Sequence, residues 1–256
     1  MKSNLILNYP GFVLANARLL VAASARAYHA ASGDNVTGIF DKGTDTHVLI
    51  NRYEDCIVIA FRGTSSLRDW LTDMEFPLRP VAGGRVHEGF LSAINSVMVK
   101  LTAELSGSEV FKYQPVLPIV VTGHSLGGAL AVLCAWYLQD RGYAIDSVYT
   151  FGQPRVGDKA FAATYQAVLG AKTFRVVNQN DIVPRVPGVL MGYRHHGIHA
   201  FIDANGYLTI DPSWLGLVIS DALGLYQAYR KLDDVLITDH FVGSYDEALA
   251  NPQLLS

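Results

Sequence analysis

Three residues far apart in the chain, Ser125, Asp181 and His240, have the types and the order needed to activate a nucleophile. Ser125 stands in Thr122-Gly123-His124-Ser125-Leu126-Gly127-Gly128. The run before it, Pro118 to Thr122, is apolar and β-branched, and the run after Gly128 favours helix, so Ser125 falls on a sharp strand-to-helix turn. Gly123 and Gly127 lie two residues to either side, where a strained serine backbone leaves no room for a Cβ. Such a turn lifts the hydroxyl clear of the sheet. It also aims the backbone N–H of Leu126, at a helix N-terminus, toward the place where a tetrahedral oxyanion would form. A Gly-rich connector with an idle serine is the competing interpretation, and it explains neither the strand before nor the helix after.

A serine hydroxyl near neutral pH needs a base, and the base needs an acid that fixes its tautomer. Of the eight histidines, His240 is preferred because it lies in a late loop after the last large helix. His195, His196 and His199 are rivals, both as bases and as metal ligands. No helix-forming run in 193–199 puts them on one face and no acidic partner stands nearby, so a solvated loop is expected there and no metal site. His124 and His87 are expected to be structural. For the acid, Asp181 directly follows the strand-like run Phe174 to Val177, while Asp203 sits on a hairpin; the strand-end position favours Asp181. The order Ser, Asp, His is the one used by α/β-hydrolase-like sheets. In that arrangement His240 takes the Ser125 proton, Asp181 stabilises the imidazolium, and Ser125 attacks an ester carbonyl. Thr64 is the expected second oxyanion donor through its backbone N–H, because the loop after an early strand must reach over the serine. Each such donor is typically worth about 3 kcal/mol.

The elements that must hold these residues can be read in order. Gly11 to Ala30 is an N-terminal helix, followed by the turn Ser32-Gly33-Asp34-Asn35. Thr46 to Asn51 and Cys56 to Phe61 form an antiparallel hairpin ending in Arg62-Gly63-Thr64. Leu67, Trp70, Leu71 and Met74 recur at i, i+3, i+4 and i+7, so Ser65 to Phe76 is a short amphipathic helix. Its place beside Gly63-Thr64 suggests a lid; an ordinary helix lying on the core is the alternative. Pro77 to Gly84 is a loop, and Gly89 to Leu105 a helix. The elbow helix runs to about Asp140 and Arg141. Ser147 to Phe151 and Phe174 to Val177 are strands, with Phe161 to Leu169 helical between them. Phe201 to Asp203 and Tyr207 to Ile210 form a hairpin turned by Asn205-Gly206. Trp214 to Tyr229 is an apolar helix that walls an acyl pocket or packs in the core. Strands alternating with helices of this size predict an α/β fold, a three-layer sandwich around a mostly parallel central sheet.

Composition narrows the classes. A chain of 256 residues, half of them hydrophobic, can bury one large core, so residues 1–256 are read as a single domain. A net charge of −3 without basic clusters excludes a nucleic-acid partner. Cys56 and Cys134 are expected to be buried free thiols. Asn8, Pro10, Asn16 and Arg18 interrupt the apolar N-terminal stretches, so no signal peptide or transmembrane segment is read; cytoplasmic residence and export by another route both stay open. No cofactor or metal is expected, and no obligate protein partner is evident.

Seven motifs then fall in one order: Val58-Ile59-Ala60-Phe61-Arg62-Gly63-Thr64, the lid-like Ser66 to Phe76, Val86-His87-Glu88-Gly89-Phe90, Thr122 to Gly128, Gly152-Gln153-Pro154-Arg155-Val156-Gly157, Asn178 to Pro184, and Asp239-His240. With them the chain resembles the fungal-type, or class 3, triacylglycerol lipases from about Tyr28 to His240. The resemblance implies an α/β-hydrolase fold with a short helical lid. It implies Ser125, Asp181 and His240 as a triad, Thr64 and Leu126 as the oxyanion hole, and Trp70 on a lid that opens at a lipid–water interface. The implied activity is acylglycerol hydrolysis through an acyl-enzyme on Ser125. Feruloyl-type esterase and phospholipase A1 activities on the same fold are alternatives, and a non-catalytic lipid-binding module is a more distant one. Two cysteines cannot supply the disulfides common in secreted fungal members. Thr64 stands where serine is often found and keeps a hydroxyl there.

Overall fold

The computed structural model describes residues 1–29, 35–64, 77–107, 117–179, 181–203, 205–211 and 239–250. The expected helices at 65–76, with Leu67, Trp70, Leu71 and Met74, and at 214–229 lie outside these residues. In chain order the elements are α1 (Leu14–Arg26), β1 (Val36–Asp41), β2 (Thr46–Arg52), β3 (Ile57–Phe61), β4 (Leu78–Val81), β5 (Gly84–His87), α2 (Glu88–Gly107), β6 (Ile119–His124), α3 (Leu126–Asp140), β7 (Ile145–Phe151), β8 (Gly157–Asp158), α4 (Lys159–Leu169), β9 (Thr173–Asn178), β10 (Tyr193–Arg194), β11 (Ile198–Ile202), β12 (Leu208–Ile210) and α5 (Val242–Ala250).

The main sheet runs β1-β2-β3-β6-β7-β9-β11-β12. Its centre, from β3 to β11, is parallel throughout, with antiparallel hairpins at both edges. Both faces of the central strands are covered, which is why they read as continuous apolar runs instead of alternating ones. In β3, Ile57, Ile59 and Phe61 join the cluster under α2, α3 and α4, while Val58 and Ala60 join the one under α1 and α5. Ile119 and Val121 of β6 face the first cluster and Val120 the second. Two helical layers on one sheet make the three-layer α/β arrangement read from the sequence. α3 sits in the middle of its layer, with ten of its fifteen residues buried, which suits a helix of Ala, Leu, Val and Gly. Cys56 and Cys134 are buried free thiols.

Two local expectations are corrected. Pro77 to Gly84 is not a loop: Leu78–Val81 and Gly84–His87 pair as a hairpin inside a second, small sheet ordered β10-β8-β5-β4. Pro80 hid it, and a proline is tolerated there because β4 is an edge strand. Residues 193–199 are not a solvated loop either. His196 and His199 are buried, His199 on β11 in register with Arg175 of β9. The His196 ring packs 4.1 Å from that of Tyr165, and its carbonyl accepts from Arg175 Nε at 2.7 Å. His195 Nε2 donates to the Pro184 carbonyl at 2.6 Å. His199 faces the interior because β11 is an inner strand, paired with β9 on one side and β12 on the other, and His196, just before it, packs its ring against Phe161 and Tyr165; no periodicity in so short a stretch reveals that.

Candidate active site

Ser125 joins β6 to α3 with φ 59° and ψ −131°, a backbone conformation that costs a non-glycine residue about 1–3 kcal/mol. The surroundings hold it there. Its N–H donates to the Phe151 carbonyl of β7 at 2.8 Å, and its own carbonyl accepts from Gly128 at 2.9 Å. A Cβ on Gly127 would stand 2.3 Å from the Phe61 carbonyl oxygen, and one on Gly123 would stand 2.2 Å from the Gly127 oxygen. The first turn of α3 therefore presses on the backbones of both β6 and β3. Leu126, the first residue of α3, brings a free helix N-terminus to the same point.

Asp181 follows β9 at the carboxyl edge of the sheet and is fully buried. A buried carboxylate is tolerable only when its lone pairs are taken, and they are. The Val183 N–H donates to Oδ1 at 2.8 Å, His240 Nδ1 donates to Oδ2 at 2.8 Å, and the Tyr245 hydroxyl donates to Oδ2 at 2.5 Å. Burial, followed by the charge of Asp181, holds the Tyr245 hydroxyl well above its usual range, so it stays protonated and donates. The Asn178 N–H anchors the same hydroxyl at 3.1 Å, and the Asn178 side-chain amide donates to the Asp239 carbonyl at 3.2 Å, tying down the loop that carries His240.

Nδ1 of His240 gives its hydrogen to Asp181, so in the neutral form of the imidazole Nε2 is the nitrogen that keeps a bare lone pair. Nε2 of His240 and Oγ of Ser125 are both buried and have no hydrogen-bond partner among the described residues. The Asp181 carboxylate and the His240 ring meet against Gly152, which has φ +60°; a Cβ there would stand 2.7 Å from Asp181 Oδ2 and 2.8 Å from His240 Cε1. The loop after β3 reaches the elbow from the other side: a Cβ on Gly63 would come 3.0 Å from the Ser125 Cβ, so Thr64, the next residue, flanks the serine.

The structure thus gathers Ser125, Leu126, Asp181, His240 and the 62–64 loop at one edge of the sheet. The rivals are spent elsewhere. Asp203 Oδ1 accepts from the Asn205 and Tyr207 N–H groups at 2.8 and 2.9 Å and closes the hairpin turn. His124 is bonded at both ring nitrogens, to the Tyr28 hydroxyl and the His240 carbonyl. His87 stacks on Phe90 and accepts from the Gly89 N–H at 3.0 Å. Among the described residues no group of three or more His, Cys, Asp or Glu side chains is arranged to hold a metal ion, and no helix is long and apolar enough to cross a membrane. Tyr245 was not reached from the sequence as part of a site, and Gly152 and Asn178 stood there only inside motifs, with no role of their own. Tyr245 carries no signal beyond lying five residues after His240.

Comparison with known proteins finds lipases. The family described as Lipase (class 3) matches residues 58–191. The lipase of Rhizomucor miehei is 41% identical over 186 residues, covering 69% of this chain and 50% of its own length. A secreted mono- and diacylglycerol lipase of Fusarium solani is 38% identical over 164 residues, covering 63% and 48%. The chain thus spans about half the length of the curated relatives it matches. A solved triacylglycerol lipase, whose catalytic centre is formed by a serine protease triad, superimposes with a TM-score of 0.67 at 33% identity, over 75% of this chain and 81% of its own. The strand-turn-helix around Ser125 and the loops carrying Thr64 and Asp181 all fall inside the matched span, and on it the chain belongs to the class 3 lipase family.

Proposed function

We propose that this chain is a serine-dependent carboxylic ester hydrolase that cleaves acylglycerols through an acyl-enzyme on Ser125, within a single α/β-hydrolase domain. The observation that carries the reading is the buried Asp181–His240 pair, whose Nε2 meets no hydrogen-bond partner among the described residues, beside a serine held on a strained elbow. Nε2 takes the Ser125 proton as Oγ bonds to the ester carbonyl carbon, and Asp181 stabilises the imidazolium. The oxyanion is met by the backbone N–H of Leu126 and by Thr64. Collapse of the tetrahedral adduct breaks the bond to the alcohol, which leaves with the proton from His240. Water then repeats the sequence and releases the acid.

The substrate class follows from kinship with proteins named as lipases and as mono- and diacylglycerol lipases. Ser125 is 1% exposed, so an ester reaches it only after something opens. The amphipathic pattern Leu67, Trp70, Leu71 and Met74, next in sequence to the oxyanion loop, supports a lid that opens at a lipid–water interface. The test is covalent: a fluorophosphonate should add to Ser125, detected by mass on its peptide, and abolish hydrolysis of p-nitrophenyl butyrate. A folded chain that takes up no label would point instead to a lipid-binding module without catalysis.

A further inference from the structure

The half-buried Tyr28, in the short 3-10 turn Ala27–His29 that ends α1, lies outside the Asp181–His240 pair, yet its hydroxyl meets two parts of the site. It stands 2.8 Å from Nδ1 of His124, the residue before the elbow serine, and it accepts the backbone N–H of Gly63 in the loop after β3. Nε2 of the same His124 lies 2.5 Å from the His240 carbonyl oxygen. A carbonyl only accepts, so His124 Nε2 carries the hydrogen. Burial, with the neighbouring His240 next in size, pushes the His124 imidazole down to about 3, so it is neutral and its Nδ1 is a bare acceptor. Burial likewise pushes the Tyr28 hydroxyl up to about 12, so it remains a donor. Every proton in the chain is then assigned: Gly63 N–H to Tyr28 Oη, Tyr28 O–H to His124 Nδ1, and His124 Nε2–H to the His240 carbonyl.

We infer that Tyr28 is a positioning residue of the candidate site: its hydroxyl fastens the 62–64 oxyanion loop to the elbow and, through His124, to the backbone of His240. The contact is close enough to set where the loop sits. A Cβ on Gly63 would stand 2.2 Å from the Tyr28 hydroxyl and 2.7 Å from the His124 carbonyl oxygen, so the loop backbone is in direct contact with both. An oxyanion donor acts only where charge develops in the transition state, so a loop that drifts from Ser125 lowers turnover without changing how substrate is held.

The inference rests on the serine-hydrolase reading above, and the experiment separates the two. Hydrolysis of soluble p-nitrophenyl butyrate is measured for wild type, Tyr28→Phe and Tyr165→Phe, per active site titrated with fluorophosphonate, so that unfolded molecules drop out. Tyr165→Phe is the control, since it removes a buried tyrosine hydroxyl bonded to Thr173 at 3.0 Å away from the site. Tyr28→Phe should lose about 10- to 100-fold in kcat with KM within about twofold, while Tyr165→Phe keeps both. An unchanged kcat, a raised KM at unchanged kcat, or an equal loss in Tyr165→Phe would overturn the inference alone. A wild type that neither labels nor turns over would overturn both readings. Should Tyr28→Phe not fold, Gly63→Ala leaves the hydroxyl in place and forces the loop off it: the same loss in kcat is expected, and a folded Gly63→Ala at full rate would overturn the inference.

Discussion

At the scale of single residues, the site is a set of hydrogen-bond donors collected around one buried carboxylate. Asp181 accepts from a backbone amide, an imidazole and a phenol, and only the imidazole was foreseeable. Tyr245→Phe removes the shortest of the three bonds while keeping the ring that packs near Phe151 and His124. A bond to a charged acceptor is worth about 1.5–3 kcal/mol. Part of it acts on turnover, so kcat/KM for a soluble ester should fall about tenfold, with a cooperative melt retained. Asp181→Asn should be far worse, about 10⁴-fold, because an amide no longer selects the His240 tautomer that leaves Nε2 bare. Equal effects from the two substitutions would refute the roles assigned here. That Ser125, Asp181 and His240 come together was legible because an elbow turn, a strand end and a late loop each leave a mark on the sequence. Tyr245 was not: a helix of nine residues offers its buried face to many partners, and nothing in the order of its side chains says that one of them reaches a carboxylate 64 positions earlier.

At the scale of elements, the elbow works because α3 is packed against strand backbone with no side chain between. Gly127→Ala puts a methyl 2.3 Å from the Phe61 carbonyl, an atom of β3 that cannot swing aside. Overpacking of this kind costs about 1–3 kcal/mol, which for a chain of this size lowers Tm by about 2–10 °C. The larger effect should be on rate, since the displaced helix carries the Leu126 N–H: at least a 100-fold loss in kcat is expected in a chain that still folds. A variant with wild-type kcat would mean that the elbow geometry is not needed. The 66–76 segment, outside the described residues, allows a prediction from periodicity alone. Trp70→Ala should lower hydrolysis of an emulsified long-chain ester more than that of a dissolved short one, and equal losses on both would argue against a lid. The strands and helices that flank the site were readable because each is long and has one clear period. The β4–β5 hairpin was not, since Pro80, Gly83 and Gly84 read as loop chemistry even where two short edge strands pair.

At the scale of the whole molecule, one sheet with two covered faces buries several histidines in their neutral form. His124, His196 and His199 are each pushed down to about 3, chiefly by burial, against about 6.5 in the unfolded chain. Well above pH 6.5 both states are neutral there and the three contribute no pH dependence. As the pH falls below 6.5 the unfolded chain takes up protons that the folded chain refuses, so stability declines, by up to about 1.4 kcal/mol per pH unit for each histidine. Calorimetric Tm should therefore be level above pH 7 and fall progressively between pH 6.5 and 5, with a gentler fall in His196→Phe. A Tm unchanged down to pH 5 would contradict the burial of these rings. The parallel three-layer order followed from the alternation of strands and helices, but the interior position of His196 and His199 depends on the neighbour that β9 gives to β11, which only the assembled sheet specifies. The proposed reaction of the whole molecule is attack of Ser125 on esters of fatty acids. Its most direct test is the initial rate of fatty-acid release from an emulsified long-chain triglyceride, wild type beside Ser125→Ala. The account predicts release by the wild type that rises as the emulsion forms, and a rate for Ser125→Ala at least about 10⁴-fold lower. Release at the same rate by both proteins would contradict it.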